Sequence, residues 1–405
     1  MTTPLKILLF LFLVLQLVVA VYMLLPLLLL IIHYSKKTKE SLLNSKYPRI
    51  SNKEFDFAAI VTAHKDTRFI APLVDSFLKQ RYKNYTLYIV ADDCDITDLH
   101  FTDDRIILLK PEPALHAKIK SIKYAVDHFI RDHEVIVVFD SDNLIHPGYF
   151  LNLNEYFRCG FEAVQTHMLS KNTDTIYAKL DSIGHIYNTF VERQSRMEMG
   201  LSSSILGLGI AVKTELYKQV MYKDALGGFD KKLQADIIRI TPQLAFAKDA
   251  YVYDEKVDDG ATLERQRTRW IYTYFKYFSI NWKLLTYGLK TGDFNKFFFA
   301  FTTLRPPLFI KMSLAFIFLI SGYFIHPLIS VVWTVIILTF IASFISIILT
   351  QSTQKGMGQA LLYIPAIVFR QVKAFLKLKQ AGKDFLKTEH SKIIYIDDVL
   401  KHESA

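Results

Sequence analysis

Residues 7–32 form 26 consecutive positions without a charged side chain. As a helix this stretch is about 39 Å long, enough to cross a hydrocarbon core of about 30 Å. Part of the chain must therefore fold in lipid, where every backbone polar group has to be satisfied within the helix. A secretory signal is the rival reading. Its apolar region is much shorter, about 7–15 residues, and no small-residue cleavage pattern precedes His33, so a retained anchor is expected, with Pro26 as a kink. Two further spans are expected at 307–325 and 327–349, joined at a tight His326-Pro327 tip, with Lys311 snorkelling to the interface.

Charge sets the expected orientation. Lys6 alone precedes the first apolar run, whereas Lys36, Lys37, Lys39, Lys46 and Arg49 follow it. The positive-inside rule then places residues 33–305 in the cytoplasm, and Lys355, Arg370, Lys373, Lys377 and Lys379 agree for the tail. The net charge of +10 is mostly membrane-proximal on this reading, and nucleic acid is not an expected partner. The only two cysteines, Cys94 and Cys159, have no metal-ligand or disulfide spacing and are expected to be reduced.

Between the spans, short β-rich runs alternate with helix-like stretches, which predicts an α/β fold with helices on both faces of an open sheet. The runs are 57–62, 85–91, 105–109, 134–139 and 162–168. Ligands of such sheets bind beyond the carboxyl ends of the strands. That singles out Ala63-His64-Lys65-Asp66, Asp92-Asp93 and Asp140-Ser141-Asp142 as the lining of one crevice. The expected organisation is a transmembrane helix at 1–34, a catalytic α/β domain at 50–272, interfacial helices at 273–305 and two transmembrane helices at 306–350. An interfacial or re-entrant segment with a cytoplasmic tail follows at 356–405. Dense aromatics interleaved with Lys276, Lys283, Lys290 and Lys296 identify the interfacial helices.

Alternation along a strand points Asp140 and Asp142 the same way, so the pair suits Mg²⁺ or Mn²⁺ carrying substrate phosphates. An acidic turn in solvent is the plainer alternative. Asp92 and Asp93 end the preceding apolar run and are candidates to accept hydrogen bonds from a nucleotide, against a turn or cap role. Lys118, with Lys120 and Lys123 nearby, is a candidate for phosphate. Asp236 follows the Gly227-Gly228 turn on a helix and is a candidate base for an acceptor hydroxyl; a helix first-turn carboxylate would look the same. Gln266, Arg269 and Trp270 lie at i, i+3 and i+4. Arg269 offers a donor fork for a diphosphate and Trp270 a flat wall for a sugar, unless the two are an interfacial anchor.

Taken in order, these residues resemble the membrane-bound members of glycosyltransferase family 2: cellulose, hyaluronan and poly-N-acetylglucosamine synthases and ceramide glucosyltransferases. The likeness covers about residues 55–300, and Gln-x-x-Arg-Trp (Gln266, Arg269, Trp270) is its most specific element. It implies a GT-A, Rossmann-like nucleotide-diphospho-sugar transferase fold, a nucleotide-sugar donor (a UDP-sugar), a divalent metal and inversion. By the same likeness Asp92 or Asp93 binds the nucleotide, Asp140 and Asp142 the metal, and Asp236 in Gln234-Ala235-Asp236 takes the place of the family's Thr-Glu-Asp base. Two of that triplet's residues differ from the family pattern. Gly207-Leu208-Gly209 resembles the small-residue loop that shapes the acceptor site, with Leu208 where a small residue is common.

The expected enzyme is a hexosyltransferase in polysaccharide synthesis, acting on a glycan or lipid acceptor at the bacterial plasma membrane. For a polymer its small translocation path would be completed by a small membrane partner or a second copy in a homo-oligomer. Single-step glycolipid transfer, as in ceramide glucosyltransferases, is the alternative, and a non-catalytic membrane scaffold is the alternative of another class.

Overall fold

The computed structural model describes residues 3–36, 43, 46–222, 227–354, 356–365, 368 and 391–404. Eight strands form one sheet: β1 (Phe57–His64), β2 (Tyr85–Asp92), β3 (Ile106–Leu109), β4 (Val135–Asp140), β5 (Leu144–Ile145), β6 (Ala163–Ser170), β7 (Ile210–Lys213) and β8 (Ala245–Asp254). Their order is β3-β2-β1-β4-β7-β6-β8-β5. Strands β3, β2, β1 and β4 run parallel. β7 is antiparallel to both β4 and β6, and β5 is antiparallel to β8.

The central strands are apolar throughout because both faces of the sheet are covered. Odd positions of β1 (Phe57, Ala59, Val61, Ala63) enter one core together with Leu87, Ile89, Val137 and Phe139. Even positions (Ala58, Ile60) enter the other with Tyr88, Val90, Ile136 and Val138. This is the two-residue alternation of a pleated strand. Helices α2 (Ile70–Leu78) and α4 (Tyr149–Arg158) cover the first face. Helices α3 (Lys118–Asp127), α7 (Thr214–Val220) and α8 (Phe229–Ile240) cover the second. Between the layers and the membrane segments run α5 (Ile176–Thr189), a π-helical turn at Phe190–Gln194, and α6 (Ser195–Met199).

Among the described residues, three helices are long and apolar enough to cross a membrane: α1 (Thr3–Ser35), α12 (Leu308–Ile325) and α13 (Pro327–Gln351). They pack on one another through Val19, Met23, Phe318, Trp333 and Phe340, and Trp333 Nε1 donates to Gln16 Oε1 at 2.8 Å. Only 17% of the most apolar window of α1 is buried by protein. The remainder is apolar surface that water would not tolerate and lipid would cover. The sheet domain joins this bundle through Leu180, Ile183 and Tyr187 of α5.

Helices α9 (Gly260–Lys276), α10 (Phe278–Thr291) and α11 (Phe294–Thr303) link the sheet domain to the spans. Leu284, Phe299 and Ala300 bury against the second face of the sheet domain, while Phe278, Trp282, Tyr287 and Phe294 are exposed. The aromatic-basic stretch thus divides into a docking face and an outward face. After α13 comes a short helix, α14 (Met357–Ala360), and a 3₁₀ turn at Leu361–Tyr363. Apart from Val368, the rest of the expected interfacial or re-entrant segment past Pro365 lies outside the described residues. The final helix, α15 (Ile396–Ser404), packs Ile396 and Val399 against Leu144 and Tyr253 at the β5–β8 edge.

Candidate functional site

Strand register brings the candidate residues together. His64 pairs with Asp92 across β1–β2, and Thr62 pairs with Asp140 across β1–β4, so the carboxyl ends of three parallel strands form one rim. Lys65, Asp93 and His116 on that rim have φ of 60°, 54° and 51°. A left-handed backbone costs a non-glycine residue about 1–2 kcal/mol, and such strain collects at functional sites.

Asp92 is buried, and its two carboxylate oxygens accept from the backbone N–H groups of Leu115 (2.6 Å) and His116 (2.7 Å). It pins the 115–116 loop over the crevice. Asp93 faces solvent, with Lys65 Nζ at 3.4 Å and His116 Nδ1 at 3.9 Å. His64, Asp93 and His116 form a loose exposed group whose ligand-type atoms lie within 4.8 Å of one another.

Asp140 Oδ1 accepts from Lys118 Nζ at 2.5 Å, and the same ammonium donates to the Gly207 carbonyl at 2.9 Å. Asp142 is buried, and its backbone carbonyl accepts from Lys171 Nζ at 3.1 Å. Asn143 ties the motif to its neighbours, accepting from the Asp140 N–H and donating to Asp254 Oδ1. Two carboxylates on a fixed turn, one already holding a cationic ammonium, fit a hard divalent cation such as Mg²⁺ or Mn²⁺.

The loop bearing Gly207 and Gly209 is shaped by buried amides. Gln165 Oε1 accepts from Leu206 N–H at 2.7 Å, Gln165 Nε2 donates to Leu208 O, and Gln234 Oε1 accepts from Ile205 N–H at 3.1 Å. Asn295 of α11 fixes the start of the same stretch by accepting from Ser202 N–H at 2.7 Å. Gly209 has φ +63°, and a Cβ there would strike Thr166 Oγ1, whereas a Cβ on Gly207 would meet open space. Gly209→Ala is therefore expected to destabilise the protein by about 2 kcal/mol or more, read as a lowered thermal unfolding midpoint. Gly207→Ala should leave that midpoint in place.

Helix α9 begins at Asp259, whose side chain accepts from Ala261 N–H (2.8 Å) and Thr262 N–H (2.9 Å). These hydrogen bonds depress its carboxyl pKa and secure a cap worth about 1 kcal/mol. From that start Gln266 is buried, Arg269 half-buried and Trp270 exposed. Arg267 leans on the Trp270 ring at 4.4 Å and pairs with buried Asp181 at 2.6 Å, which fixes the indole. Burial lowers the Arg269 pKa, and Asp140 and Asp230 oppose that shift. Arg269 therefore stands in the field of the metal motif, as a converging site requires.

Asp230, which the sequence reading does not single out, stands in the first turn of α8. The Gly227-Gly228 turn before α8 is pressed against α9: a Cβ on Gly228 would strike Thr273, and Gly227 O accepts from Tyr277 Oη at 2.9 Å. Thr273 is one turn beyond Arg269 and bonds its carbonyl. The first turn of α8, with Asp230, thus abuts the Arg269 helix. Asp236 lies six residues on, about 9 Å along the axis and on another face; it accepts from Tyr222 Oη at 2.5 Å and Lys232 Nζ at 2.7 Å. Gln234 of the same triplet is spent on Ile205. The signal that could have found Asp230 is a carboxylate in the first helical turn after a Gly-Gly turn.

Comparison with known proteins agrees with this architecture. A mannosyltransferase, PcManGT from Pyrobaculum calidifontis, solved with GDP-Man and Mn²⁺, superposes with a TM-score of 0.54 at 13% identity, covering 91% of this chain and 98% of that one. TarS 1–349 from S. aureus, solved with UDP-GlcNAc, gives a TM-score of 0.41 at 14% identity over 83% of this chain and 98% of that one. A sequence comparison with curated proteins returns no match. Residues 55–273, more than half of the chain, match the family described as "Glycosyltransferase like family 2". The sheet with its appended helices is a GT-A fold, and the chain belongs to the family 2-like glycosyltransferases.

Proposed function

We propose that this enzyme transfers a sugar from a nucleotide-diphosphate donor to a hydroxyl presented at the membrane surface, inverting the anomeric carbon. The observation that carries the reading is Arg269, a half-buried guanidinium on which the charges of both Asp140 and Asp230 act. A donor diphosphate held at the first carboxylate and an acceptor held at the second would meet beside one guanidinium. PcManGT, with its GDP-Man and Mn²⁺, shares the fold and supports the donor class.

Asp93 is placed to accept from the nucleoside, with Asp92 holding the 115–116 loop in place beside it. Asp140 and Asp142 would hold Mg²⁺ or Mn²⁺, which when bound neutralises charge on the diphosphate. Lys118 bridges Asp140 to the Gly207 carbonyl and so couples donor and acceptor loops. Asp230 takes the proton of the acceptor hydroxyl as its oxygen attacks the anomeric carbon. The carbon–oxygen bond to the diphosphate breaks on the opposite face, and the electron pair leaves with the diphosphate. Arg269 stabilises that departing charge, and Trp270 with Gln266 walls the acceptor pocket. Asp230 is preferred to Asp236 as the base because its turn abuts the Arg269 helix and its ion pair with Lys231, at 3.5 Å, is looser than the 2.5 Å and 2.7 Å contacts that Tyr222 and Lys232 make to Asp236.

The acceptor is proposed to be a growing polysaccharide, made by a catalytic domain on the cytoplasmic face of a bacterial plasma membrane. A second reading, transfer to a single glycolipid, is favoured by the exposed Phe278, Trp282, Tyr287 and Phe294, which suit an acceptor lying in the interface. A screen of labelled nucleotide sugars with the detergent-solubilised protein, followed by product sizing, tests both. A ladder supports polymer synthesis, one lipid-linked sugar supports the second reading, and no transfer from any donor overturns the proposal. Chelation is expected to abolish turnover and added Mn²⁺ or Mg²⁺ to restore it, read as released nucleoside diphosphate.

A further inference from the structure

A cluster of buried cations lies where the catalytic layer meets the spans. Arg196 is wholly buried, and none of its three guanidinium nitrogens makes a hydrogen bond. Arg193, 3% exposed, leaves Nε and Nη1 in the same state, and so does Nη1 of Arg305. Lys311 adds a buried basic side chain, with the Phe340 ring 5.1 Å away. The carboxylate among them is Glu192, which accepts from Arg305 Nη2 at 2.8 Å and from Ser204 Oγ at 3.1 Å. Burial would raise its pKa, but Arg305, Arg193 and Arg196 outweigh burial and hold it down at about 2. Asp230 also acts on Arg193, and the Phe299 ring faces Arg196 at 5.3 Å. The Tyr187 ring also faces Arg305 at 5.5 Å, and two carboxylates leave the three guanidinium groups in excess.

A guanidinium stays charged in a protein, so burying one without an acceptor is among the costliest arrangements a fold can hold. Here Glu192 and Arg193 sit in the π-helical turn Phe190–Gln194, an irregularity that marks functional sites more often than plain scaffolding. Arg305 keeps about a tenth of its side chain exposed and stands three residues before the candidate span α12.

We propose that Arg193, Arg196 and Arg305 form an anion site completed by a phosphate, supplied by the headgroup of an anionic membrane lipid. Phosphate is the ligand because it presents several acceptor oxygens to converging guanidinium forks. The other source of the same chemistry is diphosphate released from a nucleotide donor. A lipid is favoured because Arg305, the most exposed of the three, stands three residues before a helix long and apolar enough to cross a membrane. The site adjoins the transfer chemistry through Asp230, whose charge acts on Arg193, and does not depend on the acceptor's identity.

The test uses the full-length protein in a neutral maltoside detergent at constant ionic strength, reading the thermal unfolding midpoint. Phosphatidylglycerol, diacylglycerol and inorganic diphosphate are added in separate titrations. Phosphatidylglycerol is expected to raise the midpoint by about 4 °C, with no rise from diacylglycerol. In Arg196→Met the midpoint without lipid should equal or exceed that of the wild type, because an uncompensated charge has been removed, and the phosphatidylglycerol response should vanish. Arg196→Lys should keep that response. Should Arg196→Met not fold, Arg193→Met is measured in the same way. An equal rise with diacylglycerol, a response preserved in the methionine variant, or a rise with diphosphate and none with phosphatidylglycerol each overturns the proposal.

Discussion

Asp230→Asn is expected to lower kcat by about 10³-fold, within the range general-base removal commonly produces, while donor affinity stays near the wild-type value. The amide keeps the size and shape of the carboxylate but cannot accept the hydroxyl proton. The packing that seats it, Gly228 against Thr273 and Gly227 against Tyr277, is backbone and side-chain contact untouched by the change. Asp236→Asn is the control, expected to change kcat by only a few-fold because its partners are Tyr222 and Lys232. Single-turnover transfer with separately measured donor binding distinguishes the two. A large loss in Asp236→Asn with a small one in Asp230→Asn would return the base to the residue expected from sequence.

Arg269→Gln is expected to lower kcat by about 10²–10³-fold, the usual cost of removing one donor aimed at developing charge. KM for the donor should move far less, since the guanidinium matters most when the diphosphate departs. Its burial and its two carboxylate neighbours make a lysine a poor substitute: an ammonium is a point charge without the planar fork. Arg269→Lys is therefore expected to recover only part of the loss. The contrast in kcat between donors with good and poor leaving groups is the measurement, because a leaving-group role predicts the larger effect with the poorer one.

Much of the fold was legible because the parallel strands are buried on both faces and read as unbroken apolar runs. Strands β1, β2 and β4 were anticipated within two residues at each end. β8 was not, and the reason is visible in its ladder: the register shifts between Thr166 and His167, where Ala247 gives way to Tyr251 as the partner. The polar Lys248 and Asp249 occupy that irregularity and break the period of two on which strand reading depends. β5 and β7 span two and four residues and carry too little pattern to find.

Of the candidate site, the strand-end carboxylates and the Gln266, Arg269 and Trp270 set are nameable from local sequence, because each stands at a recognisable place on its element. Asp230 could not be separated from Asp236 without knowing where α8 begins, and Gly228 decides that through its left-handed backbone. The supports of the site were invisible for another reason. Gln165, Gln234 and Asn295 act on the loop around Gly207 from 29 to 93 residues away. The buried arginines around the π-helical turn look, in sequence, like an ordinary charged helix.

The stretch 391–404 also reaches into the working end. Ser391 and Lys392 donate their N–H groups to Glu255, Glu255 pairs with Lys171 at 3.6 Å, and Lys171 grips the Asp142 carbonyl. Asp397 anchors the same tail to Lys79 at 2.8 Å. The tail is thus a latch on the acidic turn, and a fusion partner or tag placed there would pull on the part of the enzyme that must stay still. Assays of this protein are best begun with the affinity handle elsewhere.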